Sequence, residues 1–352
     1  MPTQPSVAPS TVEEPKSGLR AQMAFQVLVL GLLVLLLVNY KGAAGLSKIQ
    51  QTRATGSLRL PALQTGTAAV ATTAFSNTVA YLKIVWPALV FGVLISAAAR
   101  TSLSRTPRLT IFGRGNVRDQ VTGALAGAPL MLCSCCIAPI FPAVHQRTRK
   151  VAPALALTLA SPSLNPVALT LSFILFPLRI SAARLAMALV LVLVGSVLVA
   201  RLTSPSVLPA TADDEPGDST WPSLLASYAK SLLHVSRQTV PLILVGIWAS
   251  MWIMGRLPAQ LDTGTGTHIL TIVIIALFAV LLTLPTLFEI PLAMLVMAGG
   301  GPAGAVAAVL FAGPAINLAS LLVIGRYSSW KVAAGLAGVV WVIAATGGLL
   351  LN

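Results

Sequence analysis

All three cysteines of the chain fall within four positions, in Met131-Leu-Cys133-Ser-Cys135-Cys136-Ile-Ala-Pro139. On a helix, Cys133 and Cys136 share a face at i, i+3, and Cys135 points elsewhere unless Pro139 unwinds the turn. Clustered thiolates with a thioether nearby suit soft ions: Cu(I), Zn(II) or a trivalent arsenic species. A disulfide framework needs cysteines spread along the chain, and these are not. A single buried cysteine would read as a small hydrophobe. Three between backbone-breaking prolines favour thiol chemistry, so Cys133, Cys135 and Cys136 are the expected substrate and metal ligands.

Glu289 is the second candidate. Of nine acidic residues it alone falls inside an apolar segment, where an ionisable group is costly and marks function. It could exchange a proton or pair with a cation, and proton coupling is the role expected of it. An interfacial glutamate near a loop is the plainer alternative. Asn165 and Asn317 form a third pair. Each follows a proline by three residues, Pro162 and Pro314, and each amide can both donate and accept. They are expected to touch substrate or to cap a half-helix. Lys83, Lys230, His234 and Arg237 form a fourth set, with the last three at i, i+4, i+7 on one face. They could line an anion path or snorkel to the interface. His145 and His268 stand at segment ends and signal little.

The elements that carry these residues are set by composition. Among 352 residues, 56% are hydrophobic and 9% charged, far fewer charges than the roughly one quarter of a soluble domain. Gln22–Tyr40 is a nearly unbroken aliphatic run of bilayer-spanning length, so lipid must be its solvent. Nine apolar segments follow one another, at 22–40, 72–99, 120–144, 151–177, 182–203, 223–254, 268–298, 303–325 and 331–351. The expected fold is therefore an all-α polytopic membrane protein with about nine transmembrane segments and proline-broken helices. The net charge of +14 sits in short loops between spans, which is the positive-inside pattern and not a nucleic-acid footprint. With the N-terminus inside, the 100–118 cluster, Arg179 with Arg184, Arg256, and Arg326 with Lys331 become cytoplasmic. Four cations of the 41–66 loop run against that orientation.

The chain divides into a disordered N-terminus (1–20), a first transmembrane helix and loop (21–66), a four-span repeat (67–203), an acidic linker (204–221) and a second four-span repeat (222–352). The halves look duplicated. Asn165 and Asn317, Pro162 and Pro314, and Pro139 and Pro291 are each 152 apart, and Lys83/Arg237 and Pro87/Pro241 are 154 apart. Pro139, Pro162, Pro291 and Pro314 are the expected helix breaks. Freed backbone at membrane depth survives only where protein or a water-filled cavity satisfies it, and paired breaks mark a transporter's central site. The breaks should therefore converge. Repeats of four spans would run parallel; a re-entrant segment would invert them.

Cys133-Ser-Cys-Cys followed by Pro139, the Ser161-Pro-Ser-Leu-Asn165 string and Gly313-Pro-Ala-Ile-Asn317 resemble the predicted permeases of the YraQ/ArsP type. The resemblance covers about residues 75–350. It implies a multi-span efflux permease, with Cys133 and Cys135 matching the family's Cys-x-Cys and Asn165 and Asn317 its repeat asparagines. Some members export trivalent organoarsenicals, and others are linked to copper or zinc. The chain departs from that pattern by Cys136, by Ser-Pro for Gly-Pro in the first half, and by an extra N-terminal span. The expected function is thus non-enzymatic: efflux of a soft metal or metalloid across the cell's inner (plasma) membrane by a secondary mechanism. No Gly-x-x-x-x-Gly-Lys-Ser/Thr loop occurs. Membrane lipid and a small inorganic or organometalloid substrate are the expected partners, with no cofactor and no nucleic acid; oligomeric state is not legible. An anion or small-solute permease with structural cysteines is the alternative, and a membrane thiol oxidoreductase the third.

Overall fold

The computed structural model describes residues 24, 26–55, 70–103, 117–148, 150–203, 221–254, 268–282, 287–298 and 300–351. The N-terminus 1–20, the acidic linker up to residue 220, Arg256 and Pro285 lie outside these residues. Every regular element among them is helical. A π-helical turn, Gln26–Leu30, leads into α1 (Gly31–Thr55), followed by α2 (Val70–Leu103) and α3 (Val117–Gly127). A 3₁₀ turn (Ala128–Leu130), α4 (Ser134–Ile137) and α5 (Ile140–Thr148) form a broken stretch. Next come α6 (Val151–Ser163), α7 (Pro166–Leu175), and α8 (Leu178–Val190), which a π turn joins to α9 (Ser196–Thr203). The remainder comprises α10 (Trp221–Met254), α11 (His268–Leu281), α12 (Glu289–Ala298), α13 (Ala303–Ala315), α14 (Leu318–Tyr327) and α15 (Trp330–Leu349).

The chain is an all-α polytopic membrane protein. Four helical stretches are long and apolar enough to span a bilayer: Leu28–Thr55, Leu178–Thr203, Trp221–Ala249 and Trp330–Leu349. Two bent pairs bring the number to six: α6 with α7 at 42°, and α13 with α14 at 44°. Exposed Leu, Val and Trp side chains on α1, α8, α9, α10 and α15 present the lipid-facing surface such spans require.

Several expected boundaries shift. Segment 120–144 is not one span: it divides into α3, the 3₁₀ turn, α4 and α5. Segment 268–298 divides into α11 and α12, with α12 starting at Glu289. Pro291 sits in the first turn of α12, where a missing N–H costs little, so it follows the break and does not make it. Pro162 and Pro314 each lie in the last turn of their helix, which ends one residue later in both cases. The first helix does not stop at Tyr40. It runs to Thr55, because no proline intervenes and Ala, Leu, Lys and Gln support the helix. Lys41, Lys48 and Arg53 therefore belong to α1 and not to a loop.

Two buried clusters hold the bundle. The larger is built from α6, α8, α11, α12, α13 and α15. The smaller gathers α1, α2, the cysteine stretch, α10 and α14. Helices α2 and α10 pack along each other. Both carry a glycine at a close approach: an added Cβ at Gly92 would collide with the carbonyl oxygen of Cys136, and one at Gly246 with the backbone of Ala319.

Candidate functional site: a cysteine turn and a buried ion pair

The cysteine stretch is a break between short helices. Met131 adopts a left-handed conformation (φ 51°), and Cys133 caps α4 with extended backbone (φ −70°, ψ 161°). The carbonyl of Cys133 accepts from the N–H groups of Cys136 and Ile137, both at 3.0 Å. This fold-back brings all three sulfurs within 4.8 Å of one another, although a continuous helix would send Cys135 away. Cys133 and Cys136 are joined as a disulfide, with Cα atoms 5.2 Å apart. Cys135 keeps its thiol, with Sγ 3.1 Å from Cys133 Sγ and 3.8 Å from Cys136 Sγ. The unwinding occurs ahead of the cysteines, at Met131–Cys133, as well as at Pro139 behind them.

Three other elements hold the turn. From α2, Ser96 Oγ donates to the Pro139 carbonyl at 2.5 Å. From α6, Ser161 Oγ accepts from Leu132 N–H at 3.0 Å and lies 3.4 Å from its carbonyl. From the start of α14, Asn317 Nδ2 donates to Ser134 Oγ at 2.6 Å. Asn317 also forms a capping box: its Oδ1 accepts from Ser320 N–H at 2.9 Å, and its own N–H donates to Ser320 Oγ at 3.1 Å. The amide thus ties the second-half break to the first-half cysteines. Asn165 caps α7, its Oδ1 accepting from Val167 and Ala168 N–H at 3.0 and 3.4 Å. Both asparagines are caps, and Asn317 in addition reaches the thiol turn.

Glu289 is buried at the first turn of α12, and its Oε1 lies 3.2 Å from Arg184 Nη2. Arg184 is not a loop cation. It is buried in α8, where Nη1 donates to the Ala168 carbonyl at 3.3 Å and to Ser172 Oγ of α7. The sequence signal was present, since Arg184 is the third residue of an apolar segment; its neighbour Arg179 made a loop cluster the simpler reading. Glu289 is also not the only buried acid: Asp119, in the first turn of α3, is 2% exposed. Lys83, Lys230 and Arg237 are exposed, and His234 is half-buried. His145 is buried beside Phe141, with ring centroids 5.4 Å apart and no hydrogen-bond partner at Nε2.

The described residues thus form a helical membrane bundle with two bent helix pairs, a polar turn held between helices and a buried ion pair. Residues 70–352 match the family described as "Predicted permease", ArsP_1, and the chain belongs to that family. It is a multi-pass membrane permease. It is 25% identical to the UPF0718 protein YraQ of Escherichia coli (strain K12) over 253 residues, 70% of this chain and 71% of that one. It is 34% identical to the UPF0718 protein MJ0584 of Methanocaldococcus jannaschii over 95 residues, 27% of this chain and 26% of that one. No solved structure matches the chain.

Proposed function

We propose that this permease exports a soft metal or metalloid species, a trivalent arsenical, copper or zinc, across the cell's inner (plasma) membrane, with the cysteine turn as the cargo site. The observation that carries this reading is the meeting of three sulfurs within 4.8 Å inside a helix break. Soft thiolates in that arrangement can pass an ion from one pair to the next, and transport needs release as much as binding. With Cys133 and Cys136 oxidised the turn offers a single thiol, so cargo binding uses the reduced chain, a thiol reductant supplying the two electrons. Asn317, through Ser134, would report the state of the turn to α14, and the bent pairs α6/α7 and α13/α14 would be the moving parts of a duplicated framework. Glu289, with Arg184 as its counter-ion, would carry the proton of a secondary mechanism.

The test is a metal and metalloid sensitivity panel in cells lacking the protein, expressing it, and expressing a cysteine-free form. Protection against one soft species by the parent, lost in the cysteine-free form at equal membrane abundance, is the expected result. Equal protection by both forms would reduce the thiols to packing residues and favour a permease for small anions.

A further inference from the structure

Ser161-Pro-Ser163 in the first half stands where the second half has Gly313-Pro-Ala315, two hydroxyls against none. Both serines are buried at the break between α6 and α7, inside a bent span. Ser161 Oγ is engaged with the cysteine stretch, accepting from Leu132 N–H at 3.0 Å. Ser163 has no such task. Its Oγ is buried without a hydrogen-bond partner, a costly state for a hydroxyl.

The two helix ends that meet here are not equally satisfied. At the start of α7 every backbone donor of the first turn is used. Pro166 has no N–H, Val167 and Ala168 N–H both donate to Asn165 Oδ1, and Leu169 N–H donates to the Asn165 carbonyl. At the end of α6 the Ala160 carbonyl accepts from Leu164 N–H at 2.9 Å, and there the ladder stops. A continued helix would bond Pro162 to the N–H of residue 166, which is a proline. It would bond Ser163 to Val167 N–H, which Asn165 has taken. Asn165 N–H, which would serve Ser161, falls beyond the end of the helix. No other backbone N–H among the described residues replaces these partners. The break therefore offers three carbonyl oxygens and one hydroxyl oxygen at the negative end of a helix dipole, and no spare donor for an anion. Arg184, which reaches the Ala168 carbonyl one turn on, is balanced by Glu289.

We infer that the α6/α7 break is a binding site for a dehydrated monovalent alkali cation, held by the carbonyls of Ser161, Pro162 and Ser163 and by Ser163 Oγ. Oxygen ligands select a hard cation, and a set without a carboxylate does not hold a divalent one as a dedicated site does. Unwound carbonyls at broken helices serve coupling cations in transporters generally. Ser161 belongs to both sites, its carbonyl to the cation and its hydroxyl to the cysteine stretch, so the ion sits one residue from the thiol turn's own support. The site requires nothing of the cargo that the cysteines carry. A buried water is the plainer occupant of the same oxygens.

The experiment uses the full chain, reduced and purified in detergent, with sodium, potassium or lithium chloride replacing N-methylglucamine chloride at constant ionic strength. A ligand of the folded state raises its melting temperature, and we expect a saturable rise of about 2–4 °C once sodium exceeds its Kd about tenfold. Radiolabelled sodium should bind at about one ion per chain. Ser163→Ala should lose both the rise and the bound ion, yet melt like the parent in N-methylglucamine, because the hydroxyl has no partner to lose. Ser163→Thr keeps the oxygen and should keep the response. A rise with potassium or lithium in place of sodium, lost in Ser163→Ala, supports the same site and names its ion. No rise with any alkali cation leaves water as the occupant and overturns the inference. So does a response that survives Ser163→Ala, or one confined to magnesium or calcium. The readout needs no transport, so its failure and that of the metal sensitivity panel are distinguishable.

Discussion

Arg184 and Glu289, 105 residues apart in sequence, face each other at 3.2 Å with both side chains 1% exposed. The pair joins α8 of the first half to α12 of the second. Removing one partner of a buried pair leaves an uncompensated charge, a loss of roughly 3–5 kcal/mol, whereas removing both can be nearly neutral. Arg184→Met and Glu289→Leu should each lower the melting temperature of the detergent-purified protein, and the double variant should recover most of the loss. Additive losses in the double variant would show that the two side chains act separately.

Glu289 should also govern coupling. In vesicles loaded with the species identified by the sensitivity panel, the parent should accelerate when a pH gradient is imposed. Glu289→Gln keeps the shape of the side chain and a hydrogen-bonding oxygen for Arg184, but it cannot shuttle a proton. Its transport should continue at a rate that ignores the gradient. A Gln variant that still follows the gradient would move proton coupling elsewhere.

The cysteine turn should change its thiol count with redox state. Denatured without reductant, the protein should release one reactive thiol per chain, Cys135, and three after reduction. The reduced chain should bind about one soft ion such as Cu(I), as a site of two or three thiolates does. Cys133→Ser and Cys135→Ser should each abolish that binding, with Cys136→Ser the mildest of the three. Three free thiols in the oxidised protein, or undiminished Cu(I) binding in Cys135→Ser, would contradict this arrangement.

Much of this was legible in the residues, and the failures have physical reasons. The all-helical membrane fold follows from long apolar runs, which admit no other solvent than lipid. Breaks near Pro139, Pro162 and Pro314 follow from proline's missing donor. Pro291 misled because proline is as much at home in a first turn as in a kink. The convergence of Cys133, Cys135 and Cys136 depended on the left-handed Met131, a conformation that the residue type does not announce. Arg184 was misplaced because a cation three residues into a segment looks the same whether it snorkels out or pairs within. Its partner is over a hundred residues away, and one sequence carries no record of that contact.

Asn317 performs two separable tasks. Its oxygen caps α14, and its nitrogen holds Ser134 beside the cysteines. Asn317→Asp keeps the capping acceptor and loses the donor; Ser134→Ala removes the partner and leaves the cap. Both should impair cargo binding with little change in melting temperature. Asn317→Ala should impair binding and also cost about 1 kcal/mol for the lost cap. Asn165→Ala should carry the capping cost alone. If Ser134→Ala binds cargo like the parent, the link between α14 and the turn has no functional weight.

Gly92 and Gly246 stand 154 residues apart, the same offset as Pro87 and Pro241, on two helices that pack along each other. Each is a place where another backbone comes too close for a Cβ. At Gly92 the obstacle is the carbonyl of Cys136, and at Gly246 it is Ala319, two residues after Asn317. Neither obstacle is the flexible end of a side chain, so neither can swing aside. Gly92→Ala must displace the cysteine turn, and Gly246→Ala the first turn of α14. Overpacking of this kind costs about 1–3 kcal/mol. Gly338 in α15 is the control, because a Cβ there meets open space. Gly338→Ala should gain about 0.5–1 kcal/mol from reduced backbone freedom in the unfolded chain. Melting temperatures should therefore fall for the first two variants and rise for the third. Gly92→Ala should in addition weaken soft-ion binding, since it moves the thiols themselves. A Gly92→Ala protein that melts and binds like the parent would mean that α2 does not press on the turn.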